Sequence, residues 1–273
     1  MTRNRHRSSP LSTWAPRLNE GWALARLLLL GAVLVWLAVQ GSEHLGYNWQ
    51  WYRVPRYLAT VKDGHLHAGP LLEGLLVTLR ITGVGLVLAL VFGLVTAVAR
   101  LSRSWTAQLL ARGYLELIRN TPLLIQLFFI YFVLAPILGL ERFTAAVLAL
   151  SLFEGAYASE IMRAGILAVP RGQWEAASSL GLGSLSTYRH VVLPQALRLV
   201  LPPLTSQAVS LVKNSALVST IAIYDLTMHG EAIIAETFLT FEIWFTVAAI
   251  YLLLTVALAT LASRLEQRLK LAD

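Results

Sequence analysis

Three observations predict an all-α integral membrane protein with about six transmembrane helices. Of 273 residues, 56% are hydrophobic and 14% charged, where soluble domains carry about 25% charge. Six stretches approach the roughly 20 apolar residues that a bilayer span needs: 22–40, 72–99, 122–139, 143–162, 199–222 and 243–262. The basic residues between them alternate in density, as expected if Lys and Arg are retained on the cytoplasmic side.

The elements follow in chain order. Residues 1–21 form a basic tail. Trp22 to Val39 is too long for a signal-peptide core and no small-x-small cleavage site follows it, so 22–40 is expected to be a retained N-terminal span. Segment 41–70, with Trp49, Trp51, Tyr52 and Tyr57, fits an extracytoplasmic stretch whose rings rest at the membrane interface. Between Thr106 and Ile118, Leu109, Leu110, Leu115 and Leu117 alternate with Gln108, Arg112 and Glu116, which predicts a helix lying on the membrane surface. Asn120-Thr121-Pro122 reads as a helix start, with a capping side chain ahead of a proline at the first helical position. With the N-terminus inside, fifteen Lys and Arg flank the spans on the cytoplasmic side and four on the other. Both termini are then cytoplasmic, and 264–273 is a second cytoplasmic tail.

Composition excludes several classes. With no cysteine, the chain holds neither a disulfide framework nor a thiolate metal site. The net charge of +7 is spread over separate loops rather than gathered on one soluble face, which argues against nucleic acid as a partner. The three lysines follow Val61, Val212 and Leu269, so no Gly-Lys-Ser/Thr phosphate loop exists. No nucleotide cofactor is therefore expected in this chain.

Residues 163–198 are the one long polar excursion between spans, on the expected cytoplasmic side. Trp174 to Leu180 contains helix formers with an Ala edge, and Gly181 is suited to end that helix in the left-handed conformation. Tyr188 to Leu193 is apolar again, and Pro194 is expected to set the start of the next helix. The result is a compact helical knob suited to grip a soluble partner.

Written out, the loop is Glu175-Ala176-Ala177, three residues, Gly181, nine residues, Val191, one residue, Leu193-Pro194. It resembles the EAA loop of bacterial ABC-importer permeases, with Val191 in place of isoleucine. Arg119 to Gln126, Gly155-Ala156-Tyr157 with Glu160, Pro170 to Gln173, Leu193 to Ala196 and Lys213-Asn214-Ser215 look like the polar amino-acid branch of that family. The likeness runs from about Leu71 to Leu269. Glu236-Thr237-Phe238 and Thr240 to Thr246 are similar to glutamate/aspartate permeases. The resemblance implies a five-helix type I importer core over 71–263, preceded by one extra helix. It also implies a separate ATP-binding subunit carrying ATP-Mg, a second permease subunit (identical or not), and a periplasmic solute-binding protein. Glu175, Ala176, Ala177, Gly181, Leu193 and Pro194 would then dock the ATPase. The rival readings are an ion-coupled secondary transporter and a scaffold that transports nothing.

Ionisable groups at membrane depth cost at least about 2.5–3.5 kcal/mol on insertion scales, so each needs a partner or water. Glu154 and Glu160 in the fourth span lie about 120° apart on a helix and are expected to do different work. Glu160 has a local ion-pair partner in Arg163; Glu154 is deeper, either a pathway residue or an interhelical hydrogen-bond partner. Arg80 sits about 12 Å into the second span and either snorkels outward or faces the path. Lys213 and Asn214 follow Pro202-Pro203, read as a helix break, and are candidate pathway residues with Tyr157.

Overall fold

The computed structural model describes residues 47–62 and 64–270, together with 22, 25, 26, 28–33, 36, 40 and 41. The tail 1–21 lies outside the described residues, as does much of the span expected at 22–40, whose described residues are helical. Met1–Trp49 and Gln50–Asp273 are separate compact units.

The second unit opens with a 3₁₀ turn Trp51–Arg53, a short helix Pro55–Leu58 and an antiparallel hairpin, β1 Ala59–Lys62 and β2 His65–Ala68, in register Ala59 to Ala68 and Lys62 to His65. This hairpin is an addition to the expected all-helical fold. Its signal is the dipeptide Asp63-Gly64, a strong short-hairpin turn, with Gly64 at φ +76°. Trp51 and Tyr52 are exposed. Tyr57 instead packs on a core of Leu71, Leu226, Leu239 and Ile243.

The longer helices that follow among the described residues are α1 Pro70–Leu101, α2 Trp105–Arg119, α3 Leu123–Leu138, α4 Arg142–Leu167, α5 Arg171–Ser179, α6 Leu193–Asn214, α7 Leu226–Thr237 and α8 Thr240–Lys270. Among the described residues, α1, α4 and the Thr240–Arg264 part of α8 are long and apolar enough to cross a membrane. The pair α2 and α3, bent by 107°, passes the same test together. The segment expected to span at 199–222 is helical through Asn214 and then 3₁₀ over Ser215–Ile221. It is not among the qualifying helices, because Ser206, Gln207, Ser210, Lys213 and Asn214 dilute its apolar content.

Helices α1 and α4 run parallel. Ser151 donates to the Gly85 carbonyl at 3.2 Å near their middles, and Glu160 pairs with Arg100 near their ends. Helix α6 runs the other way along α4, since Gly165 meets Val200 while Glu154 meets Gln207 and Asn214. The unit therefore has a hairpin end, with Pro70, Arg142 and Thr240, and a loop end, with Leu101, Leu167 and α5. The core between α1, α3 and α4 holds Ile81, Leu127, Leu150 and Leu211.

Two expectations about helix ends need correction. Asn120 does not cap α3: its side chain donates back to the Glu116 carbonyl and carboxylate at 2.8 Å, so it closes α2, and Pro122 itself precedes α3 in extended conformation. Pro202-Pro203 does not break α6, which continues through both. Pro194 does stand in the first turn of α6, although that helix follows directly on other helical turns. Ser184–Thr187, a π-turn Tyr188–Val192 and α6 form one helical run. A second π-turn, Phe129–Leu134, stands just before Pro136. A helical proline lacks the N–H for the carbonyl four residues back and crowds it, and a widened turn relieves both problems.

Candidate functional site

The knob at the loop end is built by α5 and its C-terminal turn. The helix begins after Pro170 and ends at Leu180; Gly181, at φ +74°, donates to the Ser178 carbonyl at 3.0 Å, and Leu182 donates to Ala177 at 3.1 Å. This is a Schellman cap, which requires a left-handed residue where glycine stands. Ala177 is 2% exposed, whereas Glu175 and Ala176 face outward. Beneath them Val169, Val192 and Ala196 pack with Ile166, Trp174 and Tyr188, and the Trp174 and Tyr188 rings meet edge to face at 5.1 Å. Leu193 and Pro194 are also exposed. At the tip, Leu180 and Leu185 are 79% and 83% exposed. Two exposed leucines, one at the capped end of α5 and one on the following turn Ser184–Thr187, form a surface suited to another protein.

Glu154 is the centre of a second arrangement. It is buried in α4 and accepts from the side-chain amides of Gln207 and of Asn214, the latter at 2.8 Å. Sequence reading found Glu154 and Asn214 but not Gln207, which sits two turns earlier on the same face of α6. Lys213 is exposed on α6 and Arg80 on α1, so neither joins this contact within the chain.

Glu160 has different neighbours. Arg163 donates to its Oε2 at 2.9 and 3.2 Å, Arg100 from the end of α1 pairs with Oε1, and Arg119 from the end of α2 lies 3.7 Å away. Arg119 also sits over the Tyr157 ring at 5.7 Å, and Tyr157 packs on Phe153. The local pair with Arg163 was legible; the other two arginines, 60 and 41 positions away in sequence, were not.

A third polar centre, at the hairpin end, has no counterpart among the sequence candidates. Asp225 is fully buried at the start of α7 and accepts from the Met228 amide at 2.9 Å and from the Tyr251 hydroxyl at 3.4 Å. The Tyr251 hydroxyl lies 3.1 Å from Thr227, and the Leu226 amide donates to Thr78 of α1. Burial pushes the Asp225 carboxyl up to about 6, against the lowering effect of its hydrogen bonds. Among the described residues, no three His, Asp or Glu side chains converge as a metal site would require.

Apolar spans, a buried interhelical carboxylate and a protruding capped knob define a polytopic membrane component that engages a soluble partner. The family model described as the binding-protein-dependent transport system inner membrane component matches residues 89–271. The glutamine transport system permease protein GlnP of Escherichia coli (strain K12) is 41% identical over 204 residues, 74% of this chain and 93% of that protein. The octopine transport system permease protein OccM of Rhizobium radiobacter is 37% identical, covering 72% and 84%. A crystal structure of an amino acid ABC transporter with histidines superposes with a TM-score of 0.69 at 39% identity, over 73% of this chain and 94% of that one. The inward-facing MetNI methionine ABC transporter, at 21% identity and TM-score 0.65, shares the fold. The chain belongs to the family of membrane components of binding-protein-dependent transport systems: it is an amino-acid ABC-importer permease.

Proposed function

We propose that this permease moves a polar amino acid inward across a bacterial cytoplasmic membrane by alternating access, with both termini and the knob in the cytoplasm. It works with a second permease chain, two ATP-binding subunits that carry ATP-Mg, and an extracytoplasmic binding protein; hydrolysis takes place outside this chain. The observation that carries the reading is the exposed helix of Glu175, Ala176, Ala177 and Gly181 with Leu193-Pro194. ATP closes the nucleotide subunits, the knob follows them, and the cavity turns outward. Glu154 and Asn214, with Tyr157, Lys213 and Arg80, line the path, and Glu160 stands near its inner end.

Glutamate or aspartate is the proposed cargo, on the wording of Glu236 to Thr246; Arg80 or Lys213 would offset the side-chain carboxylate. Glutamine is the second reading, favoured by the 41% identity to a glutamine permease. The test is uptake of labelled glutamate, aspartate and glutamine into proteoliposomes that hold the full complex and ATP. Uptake that survives an ionophore supports the ABC mechanism, and loss of uptake on collapse of the ion gradient would point to a secondary carrier. ATPase recruitment with no uptake of any solute would leave a scaffold. Unchanged glutamate and aspartate uptake in both Lys213→Ala and Arg80→Ala would remove the charge-offset part.

A further inference from the structure

Three guanidinium groups from three helices share the single carboxylate of Glu160: Arg100 closing α1, Arg119 closing α2, and Arg163 in α4. Each guanidinium offers five N–H donors, while one carboxylate accepts about four bonds. The cluster therefore keeps spare donors and surplus positive charge. Arg119 is the least committed, 3.7 Å from Glu160 with its side chain 46% exposed, while the side chains of Arg100 and Arg163 are 21% and 28% exposed.

The surroundings indicate what meets those donors. Helix α2 turns 107° from α3 and exposes Trp105, Leu109, Leu110 and Leu117, with Arg103 and Arg112 also exposed. A helix of this kind lies in the headgroup region with its apolar face in the acyl boundary. The ends of α1 and α2, and with them Arg100 and Arg119, are then at the depth of lipid phosphates. Arginine forks match the geometry of phosphate oxygens.

We propose that Arg100, Arg119 and Arg163 form a binding site for the phosphate of an anionic phospholipid, with Glu160 as the competing acceptor that occupies part of their donors. The inference rests on the membrane placement of the spans and not on the substrate class. A soluble phosphate shares the same chemistry, so the test separates the two sources.

The complete permease complex, in nanodiscs with equal phosphatidylglycerol and phosphatidylcholine, is released and its retained lipids are counted by native mass spectrometry. Wild type is expected to keep phosphatidylglycerol preferentially. Arg119→Gln, an exposed position, is expected to weaken that retention about fivefold, the effect of one cation at a membrane surface, and Arg119→Lys to fall between. Glu160→Gln removes the competing acceptor and is expected to raise retention, whereas a residue with a purely structural role would leave it unchanged or lower it. Equal retention of the two lipids by wild type, or wild-type retention in Arg119→Gln, would overturn the proposal. So would displacement of the lipid by millimolar inorganic phosphate, which would assign the site to a soluble anion.

Discussion

Replacing Gly181 separates the backbone of the knob from its surface. Gly181 is left-handed at φ +74°, and a Cβ built there meets nothing within 4 Å. A substitution therefore costs backbone strain without a clash, about 1–2 kcal/mol for an L-residue in this region, which shifts a local equilibrium about 5- to 30-fold. What shifts is the cap: the bonds from Gly181 to Ser178 and from Leu182 to Ala177. Asparagine tolerates the left-handed region, alanine does not, and arginine adds a long charged group to the same strain. Binding of the ATP-binding subunit should then be near wild type for Gly181→Asn, weakened about 5- to 30-fold for Gly181→Ala, and lost for Gly181→Arg, with ATP-driven uptake falling in the same order. Membrane insertion should be unaffected in all three. The assays are affinity of the purified permease for its ATP-binding subunit and uptake in proteoliposomes. Wild-type docking and uptake by Gly181→Arg would show that the knob is not the coupling element. Equal damage from asparagine and arginine would show that backbone strain is not the cause.

Other outcomes follow from the remaining contacts. Glu154→Leu leaves the Gln207 and Asn214 amides without their acceptor, at about 1–3 kcal/mol each, so it should melt well below Glu154→Gln in detergent; equal melting would discount the cluster. Gly165→Ala drives a methyl into Val200 and should cost about 1–3 kcal/mol, with most of it recovered by adding Val200→Ala; no recovery would place the strain elsewhere. The folded pKa of Asp225 stands at about 6, above its ordinary 3.8, so its contribution to stability is fully present below 3.8 and is lost as pH rises through 6. That amounts to about 3 kcal/mol across the window, and Asp225→Asn should flatten the stability profile between pH 4 and 7. An unchanged profile would refute it.

The helical, apolar character of 72–99, 143–162 and 243–262 and the capped helix of the knob are legible because their causes are local. Runs of apolar residues, a glycine after a helical stretch and fixed spacings all act within a few turns of chain. Asn120 departs from the expected cap because a capping side chain has two helices to choose from when they are three residues apart, and it bonds backward to Glu116. Pro202-Pro203 has the composition of a break, yet a helix held on two sides by α4 and α8 retains its course through prolines. The hairpin had its turn dipeptide in view, but the strands are only four residues each. The partners of Glu160 and Asp225 lie on distant helices, and no periodicity within one segment encodes which arginine or tyrosine will arrive.

The helical run from Ser184 to Asn214 also acts as a crank. At 1.5 Å per residue it reaches roughly 45 Å. Its near end carries the exposed Leu185 beside the knob; its far end carries Asn214, bonded to Glu154. Leu185 and the residues around the buried carboxylate are thus joined by one helical piece of backbone, while residues 180–183 link that piece to α5. The widened turn at Tyr188–Val192 interrupts the α geometry of that run near its Leu185 end.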